Sequence, residues 1–236
     1  MNEQVLSKRL SLVGQEVPVG ARLADIGSDH AYLPVALMLA GKLEYAVAGE
    51  VVKGPFESAK NQVAKNGLDE KIVVRLADGL AAVKTSDQID TVTIAGMGGT
   101  LIASILEAGK VNKQLTGTER LVLQPNVAEP QVRRWLMENG YQIEKEHILE
   151  ENGKLYEIIV AEPVKNADGV RYSEEELFFG PFLMKAQSPE FIKKWRHEAE
   201  QIRRVLLQLQ QASSPQEEKV STLTAELARI EAILGK

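Results

Sequence analysis

Apolar residues in the first two thirds of the chain fall into short continuous runs that alternate with runs at helical spacing. The short runs predict five buried strands, the first ending at Asp25 and the others at 44–52, 71–77, 89–95 and 120–124. The spaced runs predict helices at 3–13, 32–40, 55–66, 100–107 and 129–139. Extended runs at 141–149 and 154–162 flank Glu151-Asn152-Gly153 and predict a closing hairpin. This order predicts an α/β fold with a seven-stranded, mostly parallel sheet and one antiparallel strand near an edge.

The pattern changes after Pro163. An apolar cluster is interrupted there by Gly180-Pro181, which should break a helix. Apolar residues then recur every three or four positions over 192–209 and 220–234, on either side of Ser213-Ser214-Pro215. The spacing predicts two amphipathic helices that form an antiparallel, coiled-coil hairpin at the C-terminal end.

Composition bounds the number of domains and the class of protein. With 236 residues, the chain is long enough for one large domain and an appendage, which we place at 1–162 and 163–236. Lys and Arg number 28 against 33 Asp and Glu, so any contact with nucleic acid must be a local patch. Cysteine is absent, which excludes disulfides, thiolate metal sites and a cysteine nucleophile. No signal peptide or long apolar run is present, so we expect a soluble cytoplasmic protein with no membrane contact.

Candidate chemistry concentrates where the first predicted strand turns into a helix, at Asp25-Ile26-Gly27-Ser28-Asp29. Gly27 permits a backbone conformation that a side chain would forbid and lets a ligand approach the main chain. Asp25 and Asp29 repel a pyrophosphate, but they suit a ligand that carries positive charge. The ammonium and sulfonium of S-adenosylmethionine (SAM) meet that description, so the loop favours a methyl donor. Only Gly27 of the G-x-G-x-x-G pattern is present, which disfavours a nicotinamide dinucleotide.

Acidic residues end the next two predicted strands. Glu50 follows Gly27 by 23 residues, near the interval at which an acidic side chain accepts hydrogen bonds from ribose hydroxyls. Asp78 ends the third strand and either accepts the amine of an adenine or caps a short helix that starts at Leu80. We favour the binding role for both carboxylates, because ligands of open α/β sheets lie outside the carboxyl ends of the strands.

The fourth strand leads into Gly96-Met97-Gly98-Gly99, where a ligand is expected to lie against the main chain. Methyltransferases that act on exocyclic amines commonly place an Asn or Asp, two prolines and an aromatic residue at this loop. Their absence argues against an exocyclic amine as the target and leaves a ring nitrogen, an oxygen or a small molecule.

Several basic residues have two readings. Arg9, on a first helix expected to stop at Gly14, is either a solvated charge or a substrate contact. Arg133 and Arg134, beside Trp135, are interpreted as surface charges. A basic cluster in the first hairpin helix either grips an RNA backbone or pairs with neighbouring glutamates: Lys193, Lys194, Arg196, His197, Arg203 and Arg204. His147 and His197 lack companion ligands, so no metal site is predicted.

Four motifs together resemble one family, the bacterial tRNA (adenine-22-N1)-methyltransferases or TrmK family. The motifs are Asp25-Ile26-Gly27-Ser28-Asp29-His30-Ala31-Tyr32-Leu33-Pro34, Ala48-Gly49-Glu50, Ala77-Asp78-Gly79-Leu80 and Ala95-Gly96-Met97-Gly98-Gly99. The resemblance covers essentially the whole chain, including Ser7-Lys8-Arg9-Leu10 and the helical hairpin. It implies a Rossmann-like SAM-dependent methyltransferase fold and transfer of a methyl group from SAM to N1 of an adenine in the tRNA D-arm.

The resemblance also implies roles for individual residues. SAM is expected to contact Asp25, Gly27, Asp29, His30, Glu50, Val51, Asp78, Gly79, Ala95 and Gly96. The target base is expected to lie near Arg9, Met97 and Gly98. Asp29 and Tyr32 are the catalytic candidates. Asp29 either accepts from the N6 amine or offsets charge on the adenine, and Tyr32 either stacks on or hydrogen-bonds to the base, or packs in the core.

Two other functions use the same residues. A methyltransferase of a small molecule would employ the hairpin as a lid or a dimer interface, and a SAM-binding module would lack turnover. An NAD oxidoreductase is a more distant alternative. The sequence leaves the oligomeric state and the choice of tRNA open.

Overall fold

Seven strands form one mixed sheet in the computed structural model, which describes residues 6–164, 169–210 and 216–235. The strand order is β3-β2-β1-β4-β5-β7-β6. The strands are β1 Ala21–Ile26, β2 Leu43–Glu50, β3 Ile72–Leu76, β4 Thr91–Met97, β5 Arg120–Pro125, β6 Tyr141–Glu151 and β7 Lys154–Pro163. The first five pair in parallel, and β7 pairs antiparallel with β5 and β6. The predicted α/β fold and its mostly parallel sheet are confirmed.

Helices cover both faces of this sheet. They are α1 Lys8–Glu16, α2 Tyr32–Leu39, α3 Lys53–Lys65, α4 Gly99–Val111, α5 Glu129–Glu138 and α6 Glu174–Phe179. Successive residues of β1 point to opposite faces, so Leu23 joins a core with α1, α2 and α3, whereas Ala24 joins a core with α4 and α5. Burial on both faces explains why the strands read as continuous apolar runs.

The first helix differs from its prediction. It begins at Lys8, where the Ser7 Oγ accepts a hydrogen bond from the Leu10 N–H at 3.2 Å, and it runs through Gly14 to Glu16. Gly14 is buried, and a Cβ there would lie 3.1 and 3.2 Å from side-chain atoms of Leu37 and Leu33. This glycine therefore permits close packing of α1 on α2 and does not end the helix. Residues 3–5 of the predicted helix lie outside the described residues.

The chain divides into two compact units, 1–181 and 182–236. The second unit contains α7 Leu183–Ala186, α8 Pro189–Gln210 and α9 Glu217–Ile233. The Gln187 side chain, just before α8, donates to the Ile233 carbonyl at the end of α9 at 3.3 Å, so α8 and α9 are antiparallel. The predicted turn at 213–215 lies outside the described residues, and coiled-coil packing stays a prediction.

The division at 181 falls later in the chain than the boundary that we predict after residue 162. Residues beyond 162 belong to the first unit because they bond to it: the Tyr172 hydroxyl accepts from the Ile143 N–H at 2.8 Å, and α6 meets α5. Helix α6 ends at Phe179, and Gly180 follows with φ +89°, as the Gly180-Pro181 break predicts. Functional domains with boundaries at 1–162 and 163–236 remain a prediction.

A buried ion cluster joins α5, β6, β7 and α6. Arg133 is fully buried, where its guanidinium donates to Glu146 at 2.7 Å and to Glu157. It also donates to the carbonyls of Leu177 at 3.2 Å and Phe178 at 3.3 Å. Burial alone would lower the pKa of Arg133, but the two carboxylates raise it above its usual value. The prediction that Arg133 is a surface charge is wrong, because this face of α5 packs against α6 and the hairpin strands.

We expect Arg133→Ala to lower the free energy of unfolding by about 3–5 kcal/mol, because it leaves two carboxylates buried without their cation. Urea unfolding followed by circular dichroism measures this change. The matched control is Arg134→Ala, since Arg134 pairs with exposed Glu174 at 2.7 Å and should contribute about 0–1 kcal/mol. Equal losses in the two variants would contradict the assignment.

Candidate active site

The predicted site residues meet at one edge of the sheet. β1, β2, β3 and β4 are parallel neighbours, so their carboxyl ends and the loops that follow lie side by side. The Ala77 N–H donates to the Glu50 carbonyl at 2.8 Å, and the Gly27 N–H donates to the Gly49 carbonyl at 2.9 Å. Asp25, Glu50, Asp78 and Gly96 thus lie at the same end of the sheet.

Asp25 anchors the first loop from within. Its buried carboxylate accepts hydrogen bonds from the Ser28 Oγ at 2.5 Å and from the Thr93 Oγ1 on β4 at 2.6 Å. Burial raises the pKa of Asp25, and the two hydroxyl donors offset part of that rise. The carboxylate therefore fixes the loop to β1 and β4.

The backbone of this loop is strained. Gly27 has φ +69°. After Ser28, the residues Asp29, His30 and Ala31 have φ of +42°, +66° and +57°. Three successive residues with side chains in the left-handed region are unfavourable unless neighbouring contacts impose the conformation. The Ser28 N–H donates to the Gly49 carbonyl at 3.2 Å, and the Asp29 N–H donates to the Glu50 carboxylate. The end of β2 therefore holds the loop in its strained form.

Glu50 combines burial with acceptor capacity. Burial raises the pKa of the Glu50 carboxyl; the bond from the Asp29 N–H lowers it, and the charges of Asp29 and Asp25 raise it again. An ionised carboxylate accepts about four hydrogen bonds in total. The same side chain is thus able to support the loop and to accept from a ligand's hydroxyls.

Two aromatic rings and an exposed carboxylate lie next to one another where the loop enters α2. The His30 and Tyr32 rings stack with centroids 5.3 Å apart and an interplanar angle of 25°. The His30 Nε2 lies 3.5 Å from the Asp29 Oδ1, and the Asp29 side chain is 71% exposed. Tyr32 is half-buried, so its ring is partly covered by the fold and partly accessible. The structure brings all three side chains to the same loop.

The residue after the third strand, Asp78, does not cap the helix that follows it. Asp78 is exposed and makes no side-chain hydrogen bond to the short 3-10 helix Gly79–Ala82 that follows it. This observation favours the binding role for Asp78 over the capping role. Gly79 has φ +51°, and a Cβ there would lie 3.0 Å from the Ile105 Cγ2. Val51, directly after Glu50, is 64% exposed and provides apolar surface at this edge.

The C-terminal end of β4 is held by residues that the sequence analysis missed. The Gly96 N–H donates to the Gln124 Oε1 at 3.0 Å, and the Gly96 carbonyl accepts from the Asn126 Nδ2 at 2.9 Å. The same Gln124 oxygen accepts from Arg9, whose guanidinium lies 5.3 Å from the centre of the Tyr156 ring. A sequence signal for these residues is Gln124-Pro125-Asn126, which lies at the carboxyl end of the fifth strand, beside the carboxyl end of β4.

Met97 joins the two loops. A Cβ on Gly27 would overlap the Met97 Cε, so the absence of a side chain at Gly27 makes room for this methionine. Ala95 and Gly98 flank Gly96 and Met97 along the same stretch, as predicted. The loop after β1 and the end of β4, which carry predicted SAM residues and predicted substrate residues, are therefore in contact.

Two absences hold for the described part of the chain. Its His, Asp and Glu side chains form no group of three or more that is placed to hold a metal ion. None of its helices has the length and apolarity needed to cross a membrane.

Comparisons with known proteins cover nearly all of the chain. The family model described as TrmK, tRNA (adenine(22)-N(1))-methyltransferase, matches residues 23–232. The tRNA (adenine(22)-N(1))-methyltransferase of Bacillus subtilis strain 168 is 49% identical over 222 residues, which are 93% of this chain and 92% of that protein.

Solved structures agree with this similarity. The B. subtilis m1A22 tRNA methyltransferase TrmK superposes with a TM-score of 0.89 at 44% identity, covering 98% of this chain and 99% of that one. Streptococcus pneumoniae Sp1610 in complex with S-adenosyl-L-methionine gives a TM-score of 0.87 at 47% identity, covering 98% and 100%. M. capricolum TrmK in complex with S-adenosyl-homocysteine gives a TM-score of 0.81 at 25% identity, covering 98% of both chains.

The raised pKa of Asp25 sets the sign of a pH effect on stability. The folded state holds the Asp25 proton to higher pH than the unfolded state, whose pKa is 3.8. The carboxyl therefore contributes less to stability as pH rises from about 4 through the folded pKa, by about 1.4 kcal/mol for each unit of difference. We expect the unfolding free energy of Asp25→Asn to rise relative to the wild type over this window.

Urea unfolding at a series of pH values measures that difference. Asp69→Asn removes an exposed carboxylate and controls for the loss of one negative charge. A difference between Asp25→Asn and the wild type that stays constant across the window would contradict the raised pKa.

Proposed function

The chain belongs to the TrmK family of tRNA (adenine(22)-N(1))-methyltransferases, and from that premise we propose how its residues bind SAM and the target adenine. It is a SAM-dependent enzyme that methylates N1 of adenine 22 in tRNA. The observation that carries this conclusion is the match over residues 23–232, which includes every residue of the carboxyl-edge site except Arg9. With tRNA as the substrate, we place the enzyme in the cytoplasm.

SAM fits the first half of the site. The Glu50 carboxylate is the proposed acceptor for the ribose hydroxyls, and its burial beside the Asp29 N–H supports that role. Asp78 is assigned to the adenine amine, supported by its lack of a capping bond, and exposed Val51 with Gly79 to the faces of the adenine ring. When bound, SAM supplies the methyl group carried by its sulfonium.

The loop residues bind the charged end of SAM in this proposal. Asp29 and the backbone of Gly27 and His30 lie where the strained turn exposes them. Asp25 is buried and acts through the loop, by adding negative charge and by fixing Ser28. Ala95 and Gly96 complete the cofactor side from β4.

The adenine needs orientation more than activation. Its N1 carries an in-plane lone pair, so no strong base is required, and the chain's contribution is to align that atom with the methyl group. N1 lies on the Watson–Crick edge, so the base must be unpaired or flipped out of its stack. Asp29 faces the positive charge that grows on the base and stabilises it, and the stacked Tyr32 and His30 rings offer a surface for the base.

The remaining substrate contacts are assigned to Arg9, Met97 and Gly98. Arg9 is held by Gln124 and Tyr156 at the border of the cleft, where its charge is available to a phosphate of the target strand. In the second unit, α8 exposes Lys193, Arg196 and Arg204, which supports the prediction of a local RNA contact. Arg203 pairs at 2.6 Å with Glu231 of α9 rather than with a neighbouring glutamate of α8.

The function is tested by incubating the full chain with labelled SAM and unmodified tRNA transcripts, followed by nucleoside analysis. We expect N1-methyladenosine, and we expect it to disappear when adenine 22 is replaced by guanine. Binding of SAM without incorporation into any tRNA would reject the tRNA activity and leave the methylation of a small molecule.

We expect Glu50→Ala to weaken SAM binding by about 10- to 100-fold, because it removes charge-assisted hydrogen bonds to the ribose and the support of the Asp29 N–H. Isothermal titration calorimetry measures the dissociation constant. The matched control is Glu44→Ala at the other end of β2, where Glu44 pairs with Arg22 at the surface and affinity should stay within twofold. Unchanged affinity in Glu50→Ala would remove Glu50 from the cofactor site.

A further inference from the structure

We propose that Asn126 and Val127, on the loop after β5, form a wall of the target-base pocket, and that the Asn126 Oδ1 accepts a hydrogen bond from the N6 amine of the adenine. This inference rests on the proposed function and identifies the group that recognises the base. Neither residue belongs to the predicted site, and both are exposed where the loops after β4 and β5 meet.

The loop after β5 is fixed to the loop after β4. The Asn126 N–H donates to the Met97 carbonyl at 2.7 Å, and the Gly99 N–H donates to the Val127 carbonyl at 2.7 Å. A Cβ on Gly99 would overlap the Ala128 carbonyl, so the two loops approach as closely as a glycine allows. Ala128 has φ +59°, a strained conformation that these contacts impose. Residues 126–128 therefore form a rigid border of the cleft.

Gln124 sets the orientation of the Asn126 amide. Gln124 is fully buried, and its Nε2 donates to the Pro125 carbonyl at 2.8 Å and to the Asn126 Oδ1 at 3.1 Å. The Asn126 Nδ2 in turn donates to the Gly96 carbonyl at 2.9 Å. Gln124 is thus a positioning residue: it holds the Asn126 oxygen at a defined place while Asn126 itself faces solvent.

The amide keeps one acceptor site for a ligand. A side-chain amide oxygen has two lone pairs, of which the bond from Gln124 uses one. The reacting N1 of adenine must keep its lone pair, so recognition of that edge calls for an acceptor opposite the amine and no donor opposite N1. Positive charge that develops on the ring during methylation also reaches the amine. The bond to the Asn126 oxygen therefore strengthens in the transition state, which raises the rate of the chemical step.

Val127 supplies apolar surface next to this acceptor. Its side chain is 64% exposed, and its Cγ2 lies 3.8 Å from the position that a Cβ on Gly98 would occupy. A flat base gains contact area by packing on such a side chain. The pair thus offers one polar contact for the edge of the base and one apolar contact for its face.

The test compares wild type and Asn126→Ala on two versions of the tRNA, one with adenine and one with purine at position 22. Purine lacks the N6 amine, so it cannot donate to Asn126. The preference of an enzyme is its kcat/KM on the adenine tRNA divided by its kcat/KM on the purine tRNA. We expect this ratio to be about tenfold larger for the wild type than for Asn126→Ala. Each preference is a ratio measured on one enzyme preparation, so it is independent of the fraction of folded enzyme.

Controls and a second variant sharpen the result. Asn112→Ala removes an exposed asparagine at the other end of α4 and should keep the wild-type preference. Val127→Ala should raise KM for tRNA severalfold, whereas Val111→Ala, which truncates a valine that is 69% exposed at the far end of α4, should not.

The outcomes separate this inference from the function beneath it. If the wild type forms N1-methyladenosine and Asn126→Ala keeps the full preference for adenine over purine, the contact to the amine is overturned and the function stands. If Val127→Ala matches Val111→Ala, the apolar wall is overturned. If the wild type methylates no tRNA while it binds SAM, both the function and the inference fall.

Discussion

The buried carboxylate of Asp25 is the interaction on which the rest of the site depends. It ties the end of β1 to its own loop through Ser28 and to β4 through Thr93. With that end fixed, Asp29, His30 and Ala31 adopt left-handed conformations that three residues with side chains would otherwise avoid. The strain is sustained because the Gly49 carbonyl and the Glu50 carboxylate, at the end of β2, accept the loop's N–H groups. The result is a loop whose shape is set before a ligand arrives, which lowers the entropy lost on binding.

The same principle governs the other side of the cleft. Glycine occurs where two loops approach closely, at Gly27 against Met97 and at Gly99 against Ala128, and buried Gln124 bonds α1, β4 and β5 together. Methyl transfer to a ring nitrogen needs alignment of two bound molecules, so rigidity on both sides of the cleft contributes directly to the rate. The fold therefore serves the reaction by holding the backbone on both sides of the bound molecules in a fixed conformation.

Polar burial is used differently away from the cleft. Arg133, Glu146 and Glu157 form a closed cluster whose charges compensate one another and whose guanidinium also satisfies two carbonyls of α6. That cluster bonds α6 to the sheet. It also packs against Gly180, where a Cβ would lie 2.7 Å from the Arg133 Nη2. Around Asp25, by contrast, the described residues bond only hydroxyl donors to the carboxyl, and burial raises its pKa. The fold therefore neutralises the carboxylates of the cluster with a cation, whereas it holds Asp25 with neutral donors.

The order of strands and helices, the parallel sheet, the acidic loop and the glycine-rich loop were all predictable from the sequence, because they follow from local periodicity and from residue types that act on the backbone next to them. Prediction from the sequence misplaced the end of α1 and the environment of Arg133, since Gly14 and Arg133 are defined by partners on α2 and on the hairpin strands. It noted that the Gly96-Met97-Gly98-Gly99 stretch contains no Asn or Asp, whereas in the folded protein the Asn126 amide, from the loop after β5, bonds to Gly96. Contacts between strands that are distant in sequence leave no local pattern, so only the folded sheet decided which side chains share the cleft.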